Sequence, residues 1–404
     1  MVARLLIRAA AAALVASLLA CPSAEPDPPI DLVTGIANVP FGDPLVPRVA
    51  AYPFPSDYFL VDDAATATGR RVAYPVGALP EGLDPSLLAG DGFSRVTALL
   101  AQNDGGFDPA SLPDVDDPLA TTRDDSPIFL LREGDWQRHP LLCELDQGGN
   151  GAPDRALILR PHGALEPDTG YVVLLRDGLR RLDGEATQAG PAFVALRDDL
   201  PTDGDDVEAW RPKFGLVQQA IDGAGLDPAE VVLGWSFHTR SRADVAGPLE
   251  AIQGVMAGVT LPAPTILSDS VVDDGDRRIE GTMQVPDFLD ADRSMPRVDG
   301  LPVQQGTRDV PFLITIPASV VGPRPVILFG HGFFSSRYET TWGSLDDALE
   351  RWGMSAATID FEGFSENDLS QTAGVLAGEL VGLRGVIDQQ VQNVATFTAL
   401  ARLV

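Results

Sequence analysis

The sequence predicts a multidomain protein with a β-rich sandwich in its N-terminal part and a parallel α/β sheet, with helices on both faces, in its C-terminal part. Of its 404 residues, 45% are hydrophobic and 22% are charged, a composition typical of a globular chain with room for two or three domains. Short apolar runs separated by turn residues predict the sandwich. One strand–loop–helix–strand pattern predicts the parallel sheet. The formal net charge of −29 would repel nucleic acid phosphates, so we expect no polynucleotide partner.

The first 20 residues have the features of a secretory signal. Two arginines precede an apolar run from Ala9 to Ala20, which is shorter than the about 20 residues that a membrane-spanning helix needs. The run ends in Leu-Leu-Ala-Cys, which resembles a bacterial lipobox and implies that Cys21 is lipidated. A plain signal peptide with an incidental cysteine is the alternative. Pro22 resembles the residue found after the cysteine in lipoproteins sent to a Gram-negative outer membrane, so we expect an exported, membrane-anchored lipoprotein.

The segment after Cys21 has the composition of a tether. Residues 22–47 contain seven prolines among small and acidic residues, which favours an extended backbone. If Cys21 is lipidated, Cys143 has no partner for a disulfide. Cys143 lies in an apolar run, which favours an inert buried thiol over a nucleophile.

An aromatic and proline-rich segment follows the tether. Residues 52–59 read Tyr-Pro-Phe-Pro-Ser-Asp-Tyr-Phe, and residues 68–72 read Thr-Gly-Arg-Arg-Val. This segment is similar to the N-terminal domain of bacterial surface lipases of the virulence-factor lipase type, which are lipoproteins with a β-rich module ahead of an α/β-hydrolase. The alternative, which the residue types alone favour, is an aromatic patch that packs on its own domain.

Strand patterns separated by turn clusters predict a β-rich domain next. Residues 157–173, two strand patterns joined by a Pro-Asp turn, resemble bacterial Ig-like modules, which implies a β-sandwich. The turn from Asp146 to Asp154 has oxygen ligands that suggest calcium, but their order misses the EF-hand pattern and favours a solvated hairpin. The predicted strands are Pro127–Leu131, Pro140–Leu145, Ala156–Arg160, Tyr171–Leu175 and Val231–Thr239.

Two helices and a break complete this domain. Val207–Ala224 carries an apolar stripe at helical spacing, and Ala243–Gly258 has a second helical pattern. Leu261–Pro264 contains two prolines and marks the predicted boundary. Beyond it, Arg278–Val285 and Asp309–Pro317 alternate as the first two strands of another sheet.

The stretch from residue 324 to residue 336 organises the C-terminal region. Val326–Phe329 is an apolar strand pattern that stops at Gly-His-Gly, where the glycines allow a sharp turn that presents backbone N–H groups. Thr341–Trp352 has apolar residues at helical spacing, and Gly353 is placed to end that helix. A second apolar run, Met354–Ile359, ends in another turn. This order predicts parallel strands joined by a helix.

A strand into His-Gly-Phe, a helix, and a strand into Asp-x-x-Gly-Phe-Ser resemble the third and fourth strands of an α/β-hydrolase. The resemblance implies that the N–H of Phe333 forms part of an oxyanion hole. It further implies that Gly332 and His331 shape this loop, His331 without acting as a base. These three residues are the predicted catalytic-site residues of the chain.

The sequence departs from the α/β-hydrolase pattern at the catalytic serine. No Gly-x-Ser-x-Gly occurs in the 404 residues. The nearest partial match, around Ser236, lacks the second glycine and lies in a strand pattern. Gln371–Val404 has a helical pattern, as expected for the helix before the nucleophile strand. We therefore expect a chain that stops before the nucleophile elbow and lacks the catalytic serine, acid and histidine. The predicted apolar face of the helix comprises Ile387, Val391, Val394 and Ala401.

The resemblance implies the N-terminal part of a membrane-anchored carboxylic-ester hydrolase that acts on lipid or lysophospholipid esters through a serine triad and an acyl-enzyme. We expect the chain by itself to be inactive. A non-catalytic surface or adhesion lipoprotein, with an Ig-like binding module and a remnant hydrolase fold, is the alternative. No cofactor is expected. Metal binding is not expected either, because His139, His162 and His238 lie in or beside strand patterns without ligand-spaced neighbours.

These patterns divide the chain into four predicted parts. Residues 1–20 form a signal peptide, and residues 21–48 comprise the lipidated Cys21 and a Pro-rich tether. Residues 49–260 form a β-rich N-terminal domain with an Ig-like sandwich module. Residues 261–404 form the first half of an α/β-hydrolase domain, which contributes the parallel sheet with helices on both faces.

Overall fold

The computed structural model describes residues 52–74, 79–103, 105–148, 155–200, 202, 205–273 and 275–404. The predicted signal peptide, Cys21 and the predicted tether lie outside these residues, as does most of the turn from Asp146 to Asp154. The described part is a mixed α/β protein with several antiparallel sheets and six α-helices. The coarse prediction that the chain combines β-sheets with helices is therefore confirmed.

The described elements follow one another in this order. The strands are β1 (Leu60–Asp62), β2 (Arg70–Val72), β3 (Leu99–Ala101), β4 (Ile128–Arg132), β5 (Leu141–Leu145), β6 (Leu157–Pro161), β7 (Gly170–Arg176), β8 (Val231–His238), β9 (Thr265–Val271), β10 (Arg277–Asp287), β11 (Arg297–Val298), β12 (Leu301–Pro302), β13 (Gly306–Ile316), β14 (Val326–Phe329) and β15 (Ser355–Ile359). The helices are α1 (Pro191–Arg197), α2 (Asp205–Gly223), α3 (Arg242–Gly258), α4 (Gly343–Trp352), α5 (Leu369–Leu376) and α6 (Leu383–Leu403).

The chain divides into two compact units built from alternating segments. Of the described residues, the first unit comprises 52–58 together with those in Val96–Gly163 and Tyr171–Phe237. The second comprises Phe59–Arg95, Ala164–Gly170 and His238–Val404. The predicted domain boundary at Leu261–Pro264 stays a prediction.

The first unit is built on two small sheets, with strand orders β3-β6-β5 and β4-β7-β8. Strands β4 to β8 form within one residue of their predicted bounds. The β4–β7 pair is antiparallel, with Leu130 opposite Val173, and both side chains are fully buried. These strands have apolar residues on both faces because both faces are covered, so the first unit has its own core.

Helix α2 packs against this core as its apolar stripe predicts. Phe214, Val217 and Ile221 on its inner face are buried. A Cβ added to Gly234 in β8 would lie 2.9 Å from the nearest atom of Val217, so glycine allows the helix and the strand to approach closely. Two residues further, the buried Ser236 donates its hydroxyl proton to Asp57 Oδ2 over 2.6 Å. Ser236 is therefore an ordinary strand residue, as the sequence predicts.

The second unit contains a five-stranded mixed sheet in the order β14-β15-β13-β10-β9. Only β14 and β15 are parallel, whereas β15, β13, β10 and β9 pair antiparallel in turn. The prediction of a parallel sheet is thus correct for one strand pair and wrong for the rest. The reason is that β10 and β13 form one long antiparallel ladder, in which Gly281 faces Phe312. Strand β14 is the last strand at its edge of the sheet among the described residues.

Helix α4 covers the sheet less completely than its sequence predicts. Gly353 ends the helix at a φ of +64°, which confirms that part of the prediction. Of the apolar stripe, Leu349 is buried, but Trp342 and Trp352 are 54% and 62% exposed. Spacing alone predicts which residues share a face, but not how far the covered surface extends.

The predicted helix Gln371–Val404 is two helices, α5 and α6, separated at Gly378, which has a φ of +105°. The predicted apolar face of α6 is only partly covered: Val391 and Val394 pack against the core of the second unit, whereas Ile387 is 38% exposed and Ala401 is exposed. The face that α6 buries combines alanines with polar side chains. Its members are Val386, Asp388, Gln389, Gln392, Asn393, Ala395, Thr396, Ala399 and Leu400.

Candidate functional site

The loop after β14 begins with a glycine that the packing requires. A Cβ added to Gly330 would lie 2.5 Å from Cε2 of Phe361, which is closer than two carbon atoms can approach without a shift. The ring of Phe361 also lies 5.5 Å from the imidazole of His331. The sharp end of β14 therefore brings His331 against the loop that follows β15.

A tight turn spans Gly332 to Ser335. The N–H of Ser335 donates to the carbonyl oxygen of Gly332 over 3.0 Å, and Phe334 has a φ of +58°. A left-handed third residue is what a type II turn requires, although glycine normally occupies that position. A bulky residue there costs on the order of 1 kcal/mol. The N–H of Phe334 donates to the carbonyl oxygen of Phe364 over 2.7 Å, which helps to hold this conformation.

The N–H and the carbonyl of Gly332 are both held in place. Its N–H donates to Oε2 of Glu339 over 2.6 Å. Its carbonyl oxygen accepts from Nδ1 of His331 over 2.8 Å as well as from Ser335. The sequence predicts that Gly332 and His331 shape this loop, and the structure brings both into one hydrogen-bonded turn.

The backbone N–H of Phe333 stands out in this turn. Within the described part of the chain it donates to no acceptor, whereas the N–H groups of Gly332, Phe334 and Ser335 all do. The Phe333 side chain is 47% exposed and contacts the rings of Phe334 and Phe364 at centroid distances of 4.2 and 4.7 Å. The turn thus presents one unpaired donor beside an aromatic surface, which suits the binding of an anionic oxygen on an apolar molecule.

The loops after β14 and β15 are joined by several backbone hydrogen bonds. Ser335 and Ser365 form a parallel bridge. The N–H of Phe361 donates to Nε2 of His331 over 2.8 Å. Further along, the N–H of Arg337 donates to Oδ1 of Asp360 over 2.7 Å. The conformation of the turn at Phe333 therefore depends on the loop that follows the neighbouring strand.

Asp368 fixes the loop after β15 in turn. Its Oδ2 accepts from the N–H of Gly363 over 2.9 Å and from the hydroxyl of Ser365 over 2.7 Å. Its Oδ1 accepts from Arg293 over 3.1 Å. Asp368 is 4% exposed, so these bonds satisfy a carboxylate that burial would otherwise disfavour.

Glu362 carries a second, half-buried carboxyl in the same loop. Burial raises the pKa of Glu362, although the nearby Arg308 and Arg293 act in the opposite direction. Arg308 Nη2 lies 2.5 Å from its Oε1, and the amide of Asn393 on α6 donates to its carbonyl oxygen over 3.0 Å. The polar face of α6 therefore supports the loop that holds the Phe333 turn.

Local sequence patterns did not predict these supporting residues. Asp388, Gln389, Gln392 and Asn393 recur on one face of α6 at helical spacing, and a search for polar periodicity in this helix would have found them. Glu339 and Asp368 lie in short segments without periodicity, and the sequence carries no signal for their partners.

The turn has no catalytic serine–histidine pair among the described residues. The hydroxyl of Ser335 has no hydrogen-bond partner, and that of Ser365 donates to Asp368. Both ring nitrogens of His331 are engaged by backbone groups, so its ring cannot take a proton from a nucleophile in this arrangement. The turn therefore offers an unpaired backbone donor, but among the described residues it has no side-chain pair that could start an acyl transfer.

The other predicted sites are placed as follows. Cys21, the predicted lipidation site, lies outside the described residues. Cys143 is buried, and burial raises the pKa of its thiol to about 12, so it stays protonated and unreactive. Among the described residues, no group of three or more His, Cys, Asp or Glu side chains is arranged to hold a metal ion. No helix in that part of the chain is both long and apolar enough to cross a bilayer.

Comparisons with known proteins add no family to this description. No protein-family model matches the chain, and a search of curated proteins found no relative.

Proposed function

We propose that the second unit carries the oxyanion loop of a serine-type carboxylic-ester hydrolase. The single observation that carries this proposal is the unpaired N–H of Phe333 in the loop that follows a strand of a mixed sheet. A backbone N–H held in a fixed direction stabilises the negative oxygen that develops when an ester carbonyl is attacked. Because the donor is already oriented, it needs no rearrangement during the reaction.

The surroundings of the Phe333 N–H favour an apolar acyl substrate. The rings of Phe333, Phe334 and Phe364 lie together beside the donor, and Phe333 is exposed to solvent. An aromatic surface of this kind packs well against the hydrocarbon of a substrate, but it offers no partner for a charged substrate group. We therefore propose lipid or lysophospholipid esters as the substrate class.

The arrangement of elements supports an α/β-hydrolase fold for the second unit. Strand β14, the loop, α4 and the parallel strand β15 form one strand–helix–strand unit, and in α/β-hydrolases a loop between a strand and a helix supplies one oxyanion donor. The Ig-like character of the first unit is proposed on its sequence pattern alone. We also propose that the protein is exported and held at a membrane through lipidated Cys21, in the outer membrane of a Gram-negative bacterium.

The proposed reaction needs a nucleophile that these 404 residues do not provide in a Gly-x-Ser-x-Gly elbow. The amide that follows such a serine would supply the second oxyanion donor. The first experiment is therefore to sequence the genomic DNA downstream of the codon for Val404. An elbow within about 50 residues, in frame or after a frameshift, supports the proposal. Its absence supports a surface or adhesion lipoprotein instead.

The second experiment measures hydrolysis of p-nitrophenyl esters by the protein that includes this elbow. Phe333→Pro removes the N–H together with the aromatic ring, whereas Phe333→Leu removes the ring alone. Proline suits the second position of a type II turn, so the fold should survive. Loss of one oxyanion donor should lower kcat by about 10²–10³-fold. Phe333→Leu keeps the N–H and is the matched control. Equal kcat values for these two variants contradict the proposal. Residues 22–404 alone should not hydrolyse the ester faster than buffer does.

A further inference from the structure

We infer that His331 is a positioning residue whose neutral Nδ1–H tautomer aims the N–H of Phe333 into the site, and that protonation of its Nε2 releases the loop. The link to an oxyanion rests on the proposed function. The tautomer and its effect on the loop do not, because they follow from hydrogen bonds between the ring and the backbone.

The two ring contacts determine which nitrogen carries the proton. A carbonyl oxygen can only accept, so the 2.8 Å contact from Nδ1 to the oxygen of Gly332 places a proton on Nδ1. A backbone N–H can only donate, so the 2.8 Å contact from Phe361 to Nε2 requires a bare Nε2. Only the neutral Nδ1–H ring satisfies both contacts.

The contact with Gly332 also sets the direction of the Phe333 donor. The carbonyl of Gly332 and the N–H of Phe333 belong to one planar trans peptide group, so they point in opposite directions. His331 Nδ1 and the N–H of Ser335 hold that carbonyl on the inner side of the turn. The Phe333 N–H is therefore held on the outer side, where it has no acceptor within the described residues.

Protonation of the ring would break the second contact. A proton on Nε2 would face the N–H of Phe361, so two donors would meet across 2.8 Å. His331 is 6% exposed, so the ring is too enclosed to turn to a new acceptor unless the loop moves. The imidazolium form should therefore separate the loop after β14 from the loop after β15.

Four charged groups lie on the segments packed against the ring. Glu339 and Arg337 belong to the segment that follows β14, and Asp360 and Glu362 flank Phe361. Arg337 pairs with Asp360, and Glu362 is paired with Arg308 and Arg293. Glu339 accepts the N–H of Gly332 and is the carboxylate among these four that has no arginine partner in the described part of the chain. From the α6 side, the uncharged Phe397 contacts Phe361 at a centroid distance of 5.5 Å.

The test uses the purified chain, residues 22–404, with isotope-labelled histidine. The chain has four histidines, so long-range nitrogen–proton NMR spectra are simple, and His331→Gln identifies the signals of His331 by their loss. At neutral pH we expect a protonated Nδ1 and a bare Nε2 for His331. The opposite tautomer of His331, or an imidazolium at neutral pH, overturns the inference. If His331→Gln does not fold, the wild-type spectrum is the test instead, because one of its four histidines must then be a buried Nδ1–H ring.

Amide hydrogen exchange followed by mass spectrometry tests the release of the loop. In the wild type, the peptide containing Phe361 should lose about tenfold in protection, beyond the intrinsic pH effect, between neutral and acidic pH. In His331→Gln the side-chain oxygen can accept the Phe361 N–H but does not titrate, so this loss should disappear. His162→Gln, at an exposed histidine, should behave as the wild type. The same acid-dependent loss in His331→Gln overturns the inference. An expected NMR result without ester hydrolysis by the extended protein would leave this inference standing and contradict the proposed function alone.

Discussion

His331 contacts the carbonyl of Gly332, and Glu339 holds the N–H of the same glycine through a 2.6 Å hydrogen bond to its Oε2. The two residues that this bond joins are seven positions apart, and the short helical turn Arg337–Thr341 carries the carboxylate back to the loop. A hydrogen bond to a charged acceptor is stronger than one between neutral groups. The Gly332 N–H is thereby occupied, which leaves the N–H of Phe333 as the unpaired donor of the turn among the described residues.

Glu339→Ala should lower the free energy of unfolding by about 1 kcal/mol, because the N–H of Gly332 loses its acceptor. Glu339→Gln keeps an oxygen acceptor and should have a smaller effect. Urea unfolding measures both. Glu350→Ala, on the exposed side of α4, is the control and should be nearly neutral. A loss in Glu350→Ala equal to that in Glu339→Ala would show that the effect does not come from the loop.

Gly330→Ala should destabilise the second unit by about 1–3 kcal/mol, because the new methyl group would overlap the ring of Phe361. Thermal unfolding of single and double variants can measure this. The second change Phe361→Leu should recover part of the loss, since it removes the atoms that clash. Gly343→Ala, where an added Cβ has no neighbour within 4 Å, is the matched control. Purely additive effects of Gly330→Ala and Phe361→Leu would contradict the packing explanation.

Asp388→Ala should cost about 3 kcal/mol of unfolding free energy. Asp388 is 1% exposed and accepts from Arg297 over 2.5 Å and from the N–H of Met295 over 3.0 Å. Removing it leaves a half-buried guanidinium and a buried N–H without an acceptor. The exposed Asp347→Ala in α4 serves as control. Denaturant unfolding followed by far-UV circular dichroism measures the free energy of unfolding of both variants. A difference of less than about 1 kcal/mol between them would mean that the ion pair adds little stability.

Asp91→Asn should stabilise the protein at neutral pH. Burial, the largest cause, raises the pKa of Asp91, and Asp244 beside it adds to the shift. At Asp244 burial opposes the shift, but the hydrogen bond from Arg240 prevails and lowers the pKa. The Oδ2 of Asp91 has no hydrogen-bond partner, whereas its Oδ1 accepts the N–H of Ser241 over 2.9 Å. Asparagine keeps that acceptor and removes the buried charge.

The pH dependence of this effect has a defined sign. A carboxyl whose pKa is higher in the folded state contributes stability below its unfolded pKa, and this contribution is lost as the pH rises through the folded pKa. The advantage of Asp91→Asn over the wild type should therefore be small in acid and should grow as the pH approaches neutral. Thermal unfolding from acid to neutral pH checks this, with the exposed Asp183→Asn as control. A constant difference across that range would refute it.

Cys21→Ser should release the protein from membranes. The predicted lipid anchor depends on this thiol, since each buried CH₂ of an acyl chain contributes about 0.8 kcal/mol. Fractionation of cells after a salt wash measures the distribution, and Cys143→Ser, at a buried thiol, is the control that should stay with the membrane if it folds. A Cys21→Ser variant that still sediments with membranes contradicts the lipoprotein proposal.

Local patterns in the sequence are sufficient to predict the positions of several strands and of one helix end. Strands β4 to β8 were placed within one residue, and Gly353 was identified as the end of α4, because alternation of apolar residues and the backbone freedom of glycine are properties of neighbouring residues. The loop with His331, Gly332 and Phe333 was also identified from local residues. Its hydrogen bonds were not, since the partners of this loop lie far along the chain.

Local sequence patterns predict many of the strands and helices and the sharp turn after β14, whereas the surfaces that these elements share depend on residues far apart in the chain. Phe361 is 30 residues from His331, and Arg293 is 96 residues from its partner Gln389. The polar face of α6 is buried because backbone groups of the second unit satisfy it: the amide of Gln392 accepts from the N–H of Phe288 and donates to the oxygen of Pro286. A polar side chain can be buried at little cost where such partners satisfy it, and spacing along one helix cannot predict those partners.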